Sequence, residues 1–216
     1  MDIAQARFNM IEQQVRPWDV LDRKVLDVLG KLRREDFVPE DYRTLAFADI
    51  EIPIGHGQVM LDPKTEARLV QELELTADDH VLEIGTGSGF STAMIASLAK
   101  QVDSVEIIPD LSASAAKKLK DFDNITLQTG DAANGWGEDR KWDAILLTGS
   151  VPALPEAFNN MLNPGGRLVA VVGTQPMMTA RLYRQLGNDG LSDKVLFDTV
   201  IPPLQNVKKP AAAFAL

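Results

Sequence analysis

From His80 to Gly173, short apolar runs alternate with stretches of helical spacing. The runs are HVLEIG (80–85), QVDSVEI (101–107), NITLQTG (124–130), WDAILLT (142–148) and GRLVAVVG (166–173). Between them, residues 89–99, 110–120 and 153–162 carry apolar side chains at helix-like intervals. Strands separated by single helices predict an α/β chain with a mostly parallel sheet covered on both faces. Ahead of this region, residues 4–33 predict two helical pieces broken at Pro17, the second with an apolar stripe at Val25, Leu26, Val28 and Leu29. Asp62 followed by Pro63 predicts a helix start, a capping side chain before a residue whose fixed φ suits the first turn; this helix should run to about Leu73. After the last parallel strand, ARLYRQL (180–186) and KVLFDTVIPP (194–203) flank the tetrapeptide GNDG, which predicts an antiparallel hairpin. The expected organisation is one compact unit, with a helical extension and loop over 1–60 and the α/β domain over 61–216.

The chemistry in this pattern begins at VLEIGTGSGF (81–90). A buried strand should end at Ile84, and Gly85, Gly87 and Gly89 then let the backbone turn sharply against a ligand before a helix starts. A dinucleotide fingerprint wants its third glycine at position 90, where Phe90 stands. Glycines at every second position, preceded by Glu83, instead resemble the S-adenosylmethionine loop of Rossmann-like methyltransferases, with Thr86 and Ser88 lining it. Glu106 ends the next strand, where a carboxylate can accept from both ribose hydroxyls. Asp131, with Ala132 after it, follows the third strand, where a carboxylate beside a free N–H can read the adenine amino edge. Acids in order at the ends of consecutive strands match the crevice in which open parallel sheets bind ligands.

Composition narrows the partners. The 216 residues are 45% hydrophobic and 25% charged, with 31 acidic against 22 basic side chains and a formal net charge of -9. No Lys/Arg-rich run offsets that balance, so nucleic-acid phosphate is an unsuitable partner. No apolar run approaches the roughly 20 residues of a membrane span, and the charged N-terminus lacks a signal core, which fits a cytoplasmic protein. Cysteine is absent and only His56 and His80 are present, so neither a thiolate nor a histidine-rich metal site is expected.

The motifs MIEQQVRPWDVLDRKVLDVL, REDFVPEDYRTLAFADIEIPIGHGQ, VLEIGTGSGFSTAMIA, GDAANGW, WDAILLTGSVPALPEAF and LNPGGRLVAVVG together resemble the protein-L-isoaspartyl O-methyltransferase family over residues 10–204. The resemblance implies a seven-stranded methyltransferase sheet with an N-terminal helical addition. It also implies S-adenosylmethionine as methyl donor and esterification of isoaspartyl carboxyl groups in damaged proteins, a repair reaction. In the family the loop at 55–63 reads Gly-x-Gly-(Gln or Ala)-Thr-Ile-Ser-x-Pro, with its serine in the active site. Here PIGHGQVMLDP (53–63) places Val59 at the threonine, Met60 at the isoleucine and Leu61 at the serine. The family's Arg-Phe-Val-Pro-Leu segment reads VIPPL (200–204), with Val200 for arginine. These departures keep two alternatives open: a methyltransferase for a more apolar protein, peptide or small-molecule acceptor, and a non-catalytic S-adenosylmethionine-binding protein. His56 and Gln58 either orient an acceptor or brace the loop. Thr148 and Ser150 are expected to face the crevice and donate into it, with a strand-end hydroxyl bonded to backbone as the alternative for Thr148. Trp136 and Trp142 are expected in the core or at the rim.

Overall fold

The computed structural model describes residues 2–137, 140–187 and 190–208. Asp2 caps the first helix, α1 (Ile3–Met10), by accepting from the N–H groups of Ala4 and Gln5. Helical backbone continues through one wide, π-type turn (Ile11–Val15) and a 3-10 turn (Arg16–Trp18), and stops where Asp19 takes φ 61°. The break therefore lies just beyond Pro17, which stands in the 3-10 turn that closes the run. The second helix, α2 (Arg23–Lys31), buries Val25, Val28 and Leu29 as its stripe predicts, with Leu26 packed against the same core.

Residues 53–63 hold more regular structure than a loop. β1 (Ile52–Gly55) and β2 (Gln58–Met60) pair antiparallel around a tight turn, with Gly55, His56 and Gly57 at φ 94°, 53° and 70°. The helix that follows, α3 (Pro63–Glu72), starts as expected, with the Asp62 side chain accepting from Thr65 N at 3.0 Å.

Next come β3 (His80–Ile84), α4 (Phe90–Ala96), β4 (Gln101–Glu106), α5 (Pro109–Lys118), β5 (Ile125–Thr129), β6 (Trp142–Leu147), β7 (Leu162–Thr174), β8 (Met177–Gln185) and β9 (Leu191–Asp198). The seven strands β3 to β9 form one sheet of order β5-β4-β3-β6-β7-β8-β9. β3 to β7 run parallel, whereas β8 and β9 fold back antiparallel. The chain steps outward from β3 to β5 and then returns to the other side of β3 as β6. That reversal opens a crevice at the carboxyl ends of β3 and β6.

The stretch 153–162 differs from its expected helix and forms only a 3-10 turn, Glu156–Asn160. Pro152 and Pro155 fix the approach, and Phe158 is the single buried anchor of the turn. The C-terminal hairpin is β8 paired with β9; the centre of its GNDG turn, residues 188–189, and the Ala-rich tail lie outside the described residues. Trp142 is fully buried and donates its indole N–H to Asp103 Oδ2 at 2.9 Å, so it belongs to the core. At the opposite sheet end from the crevice, Arg167 grips both carboxylate oxygens of Asp79, at 2.9 and 2.5 Å. Although burial alone raises it, the Asp79 carboxyl is held below its ordinary range by Arg167. Among the described residues no helix is long and apolar enough to cross a membrane, and no group of His, Cys, Asp and Glu is arranged to hold a metal ion.

Candidate active site

β3 ends at Ile84, and the chain turns through Gly85, Gly87 and Gly89 at φ 95°, 54° and 88° before α4 begins. At Gly85 an added Cβ would lie 2.3 Å from Thr148 Oγ1, so only glycine lets this turn pass beside the end of β6. The Thr148 hydroxyl closes the gap from the other side, donating to the carbonyls of Ile84 and Gly85 at 3.0 and 2.6 Å. It is used by backbone, as is Ser150, whose hydroxyl donates to Ile201 O at 3.0 Å and docks the C-terminal segment.

Above this turn lies a cleft of about 970 Å³, part of it open to solvent. Glu106 is 4% exposed and reaches it from the end of β4, accepting from Gly87 N at 2.8 Å and Ile108 N at 3.0 Å. Asp131, past β5, accepts from Ala133 N at 3.1 Å and Asn206 Nδ2 at 2.9 Å, with buried Ala132 beside it. Trp136 covers Gly130 at that rim, where a Cβ would come within 2.6 Å of its ring. The opposite wall is the β1–β2 hairpin and α3, and residues 202–205 close the side.

Of the site residues read from sequence, Gly85, Thr86, Gly87, Ser88, Glu106, Asp131, Ala132, Gln58, Leu61 and Thr148 line this one cleft. Glu83, Gly89 and His56 are not among its lining residues. Glu83 sits one layer behind the turn, fully buried, accepting from the hydroxyls of Ser91, Thr92 and Ser104 at 2.6, 2.5 and 2.6 Å. Burial pushes its carboxyl up to about 7, against those three hydrogen bonds. It braces the loop between β3, β4 and α4 without touching the cleft. Gly89 is the N-cap of α4 and packs on Leu119. His56 is at the hairpin tip, 44% exposed, with Nε2 3.3 Å from Asp110 Oδ2.

One cleft-lining acid and its partner were missed by sequence reasoning. Glu66 on α3 lines the cleft at 6% exposure and pairs with Arg34, itself 1% exposed, at 2.5 Å. Burial raises the Glu66 carboxyl, and the Arg34 guanidinium opposes that shift. The signal was present in α3: Glu66 occupies the same stripe as Leu69, Val70 and Leu73, and an acid on a buried stripe needs a partner.

The model of the family described as protein-L-isoaspartate(D-aspartate) O-methyltransferase (PCMT) matches residues 6–208. The chain belongs to that family. A protein-L-isoaspartate O-methyltransferase of Myxococcus xanthus is 43% identical over 156 residues, 71% of this chain and 74% of the relative. One from Trichlorobacter lovleyi is 38% identical over 191 residues, 88% of each. A solved protein-L-isoaspartate O-methyltransferase superposes with TM-score 0.77 at 20% identity, over 93% of this chain and 65% of that one. A Plasmodium falciparum structure, described as a beta-aspartate methyltransferase (PCMT) in complex with S-adenosyl-L-homocysteine, superposes with TM-score 0.78 at 19% identity, over 95% and 99%. The fold is thus the Rossmann-like fold of S-adenosylmethionine-dependent methyltransferases, with the N-terminal helices of this family.

Within the protein-L-isoaspartate O-methyltransferase scaffold, Leu61 stands on the cleft wall at 7% exposure, its carbonyl accepting from Arg34 Nη2 at 2.5 Å. Gln58 is beside it on the same wall, its amide 3.5 Å from His56 O. Val200 is 46% exposed and stands outside the cleft, which takes residues 202–205 from the same segment.

Proposed function

We propose that this chain transfers the methyl group of S-adenosylmethionine to the carboxyl group of isoaspartyl residues in proteins, the reaction for which its curated relatives are named. The observation that carries this reading is the Glu106 carboxylate, fixed by two backbone N–H groups beside the glycine turn at the sheet's reversal point. The residues present fit the cofactor. Gly85 and Gly87 leave a close-approach floor, Glu106 offers acceptor oxygens to a ribose diol, and Asp131 stands beside the Ala132 amide for adenine. When bound, S-adenosylmethionine supplies a methyl group activated on a sulfonium.

The chain's own task is small. An isoaspartyl carboxylate is already ionised at neutral pH and needs no general base. What accelerates transfer is holding a carboxylate oxygen in line with the methyl and excluding water. The β1–β2 hairpin and residues 202–205 supply that enclosure, and the Gln58 amide is the side-chain donor on the acceptor wall.

Leu61 favours a second reading, a more apolar acceptor. Its side chain offers no hydrogen bond, and with Val59 and Met60 it makes that wall apolar. A carboxylate set against that apolar stretch, away from the Gln58 amide, costs about 2 kcal/mol or more to desolvate. The test is transfer of labelled methyl to a peptide containing one isoaspartyl residue, with the normal aspartyl peptide as control. Base-labile methyl ester on the isoaspartyl peptide alone supports the first reading. Bound cofactor without ester, together with ester formation by Leu61→Ser, moves the conclusion to the second.

A further inference from the structure

Glu83 takes no part in the proposed transfer, yet it is fully buried one layer behind the glycine turn. Four hydroxyls are tied to it. Ser91 Oγ donates to its Oε1 at 2.6 Å, Thr92 Oγ1 and Ser104 Oγ donate to its Oε2 at 2.5 and 2.6 Å, and Thr86 Oγ1 lies 2.6 Å from Ser104 Oγ. A hydroxyl owns one hydrogen, so when the carboxylate is ionised these four hydroxyls serve four links, and Thr86 must donate to Ser104. No hydrogen is then left to point outward. Protonating Glu83 adds a further hydrogen to the same links and releases one hydroxyl as a donor. Ser91 and Thr86 line the cleft, while Thr92 is fully buried, so the release faces the cleft.

Little charge surrounds this acid. β4 brings Ser104 against it, β6 brings Leu146 into register with it, and α4 supplies Ser91 and Thr92. The charge that acts on it is that of Glu66 on α3, which is paired with Arg34. Glu106, two residues beyond Ser104 on β4, has its oxygens held by Gly87 N and Ile108 N. Burial and Glu66 both favour the protonated acid and bring its titration to about 7. A positive charge in the cleft pulls the other way, because charges interact strongly in an enclosed, weakly polar site. S-adenosylmethionine carries one positive charge more than S-adenosylhomocysteine. On the basis of the cofactor reading above, we infer that Glu83 is a proton switch linked to the charge of the cofactor, ionised when the cleft holds the methyl donor and protonated when it holds the demethylated product. The proton is exchanged with solvent, and the hydroxyls of Ser91 and Thr86 reorient with it, with no bond made or broken in either ligand. The donor's advantage over the product therefore grows as pH rises through neutrality.

Calorimetric titration of the native chain with S-adenosylmethionine and with S-adenosylhomocysteine, from about pH 5.5 to about pH 8.5, tests this. The ratio of the two dissociation constants is expected to move about three- to ten-fold toward S-adenosylmethionine across that range. A flat ratio, or a move toward S-adenosylhomocysteine, overturns the inference. Glu83→Gln puts an amide where the protonated acid stands and should hold the ratio constant within about 1.5-fold. Histidines titrate in this range too, and neither His56 nor His80 lines the cleft. A shift that persists in Glu83→Gln would belong to such groups and overturn the assignment. Titrations near neutral pH in phosphate and in Tris, whose ionisation heats differ, count the protons directly; S-adenosylmethionine should release more than S-adenosylhomocysteine. Should Glu83→Gln fail to fold, that count in a chain carrying His56→Gln and His80→Gln decides: a difference that survives supports the switch, and equal counts overturn it. Binding of both ligands with a ratio indifferent to pH leaves the cofactor reading standing and removes this inference alone. Failure of the native chain to bind either ligand would overturn the cofactor reading, and this inference with it.

Discussion

Glu106 is the residue on which the proposed cofactor site turns. Glu106→Ala removes the acceptor for a ribose diol and unpins Gly87 N, and S-adenosylhomocysteine should bind about ten- to a hundred-fold more weakly by calorimetry. Gly85→Ala places a methyl group where Thr148 Oγ1 sits, at a φ of 95°, and should lower stability by about 2 kcal/mol or more in denaturant unfolding. Glu83 gives a pH dependence. Its folded carboxyl titrates at about 7 against an ordinary 4.5, so the folded state holds a proton that the unfolded chain has released between those values. Its contribution is present below pH 4.5 and lost as pH rises to about 7, at most about 3 kcal/mol on the scale of one pKa unit per 1.4 kcal/mol. Glu83→Gln should flatten the unfolding free energy across that window; an unchanged slope would contradict the buried, protonated acid. Residues whose place in the cleft follows from position after a strand, such as Gly85, Glu106 and Asp131, could be read from sequence. Glu83 could not be separated from them, because the hydroxyls that enclose it come from α4 and β4. Glu66 needs Arg34, far away in the chain, to show that it is buried.

Among the elements, the N-terminal segment and α3 are tied by the Arg34–Glu66 pair. Arg34→Ala leaves an unpaired buried acid and should destabilise by about 3–5 kcal/mol, measured by denaturant unfolding. Arg34→Met combined with Glu66→Leu should recover part of that loss, because no charge then remains buried; full recovery is not expected while the carbonyls of Ala46 and Leu61 lose their donor. Elements with strong apolar runs, β3, β4 and β6, were legible to within a residue or so, and so was α3 from its Asp-Pro start. The β1–β2 hairpin was not, since strands this short carry no alternation and the pairing is fixed by three consecutive positive-φ residues. At 153–162 apolar spacing favoured a helix, but the flanking prolines and the early start of β7 at Leu162 leave room only for a 3-10 turn.

For the whole molecule, alternation of strand and helix was enough to place a crevice at one end of a parallel sheet, and the acids after successive strands, Glu106 and Asp131, line it. What alternation cannot supply is the wall opposite the sheet. That wall comes from the hairpin and α3, whose docking depends on Arg34, on the Gln71 amide bridging Asp19 O, and on its side-chain oxygen accepting from Leu21 and Asp22. The family match spans sheet and wall together, from residue 6 to residue 208. Both readings of the acceptor rest on the same cofactor cleft, and titration of the native chain with S-adenosylhomocysteine tests it most directly. A functional cleft predicts saturable one-to-one binding that Glu106→Ala weakens; no heat at high ligand concentration, or binding indifferent to Glu106, would contradict it.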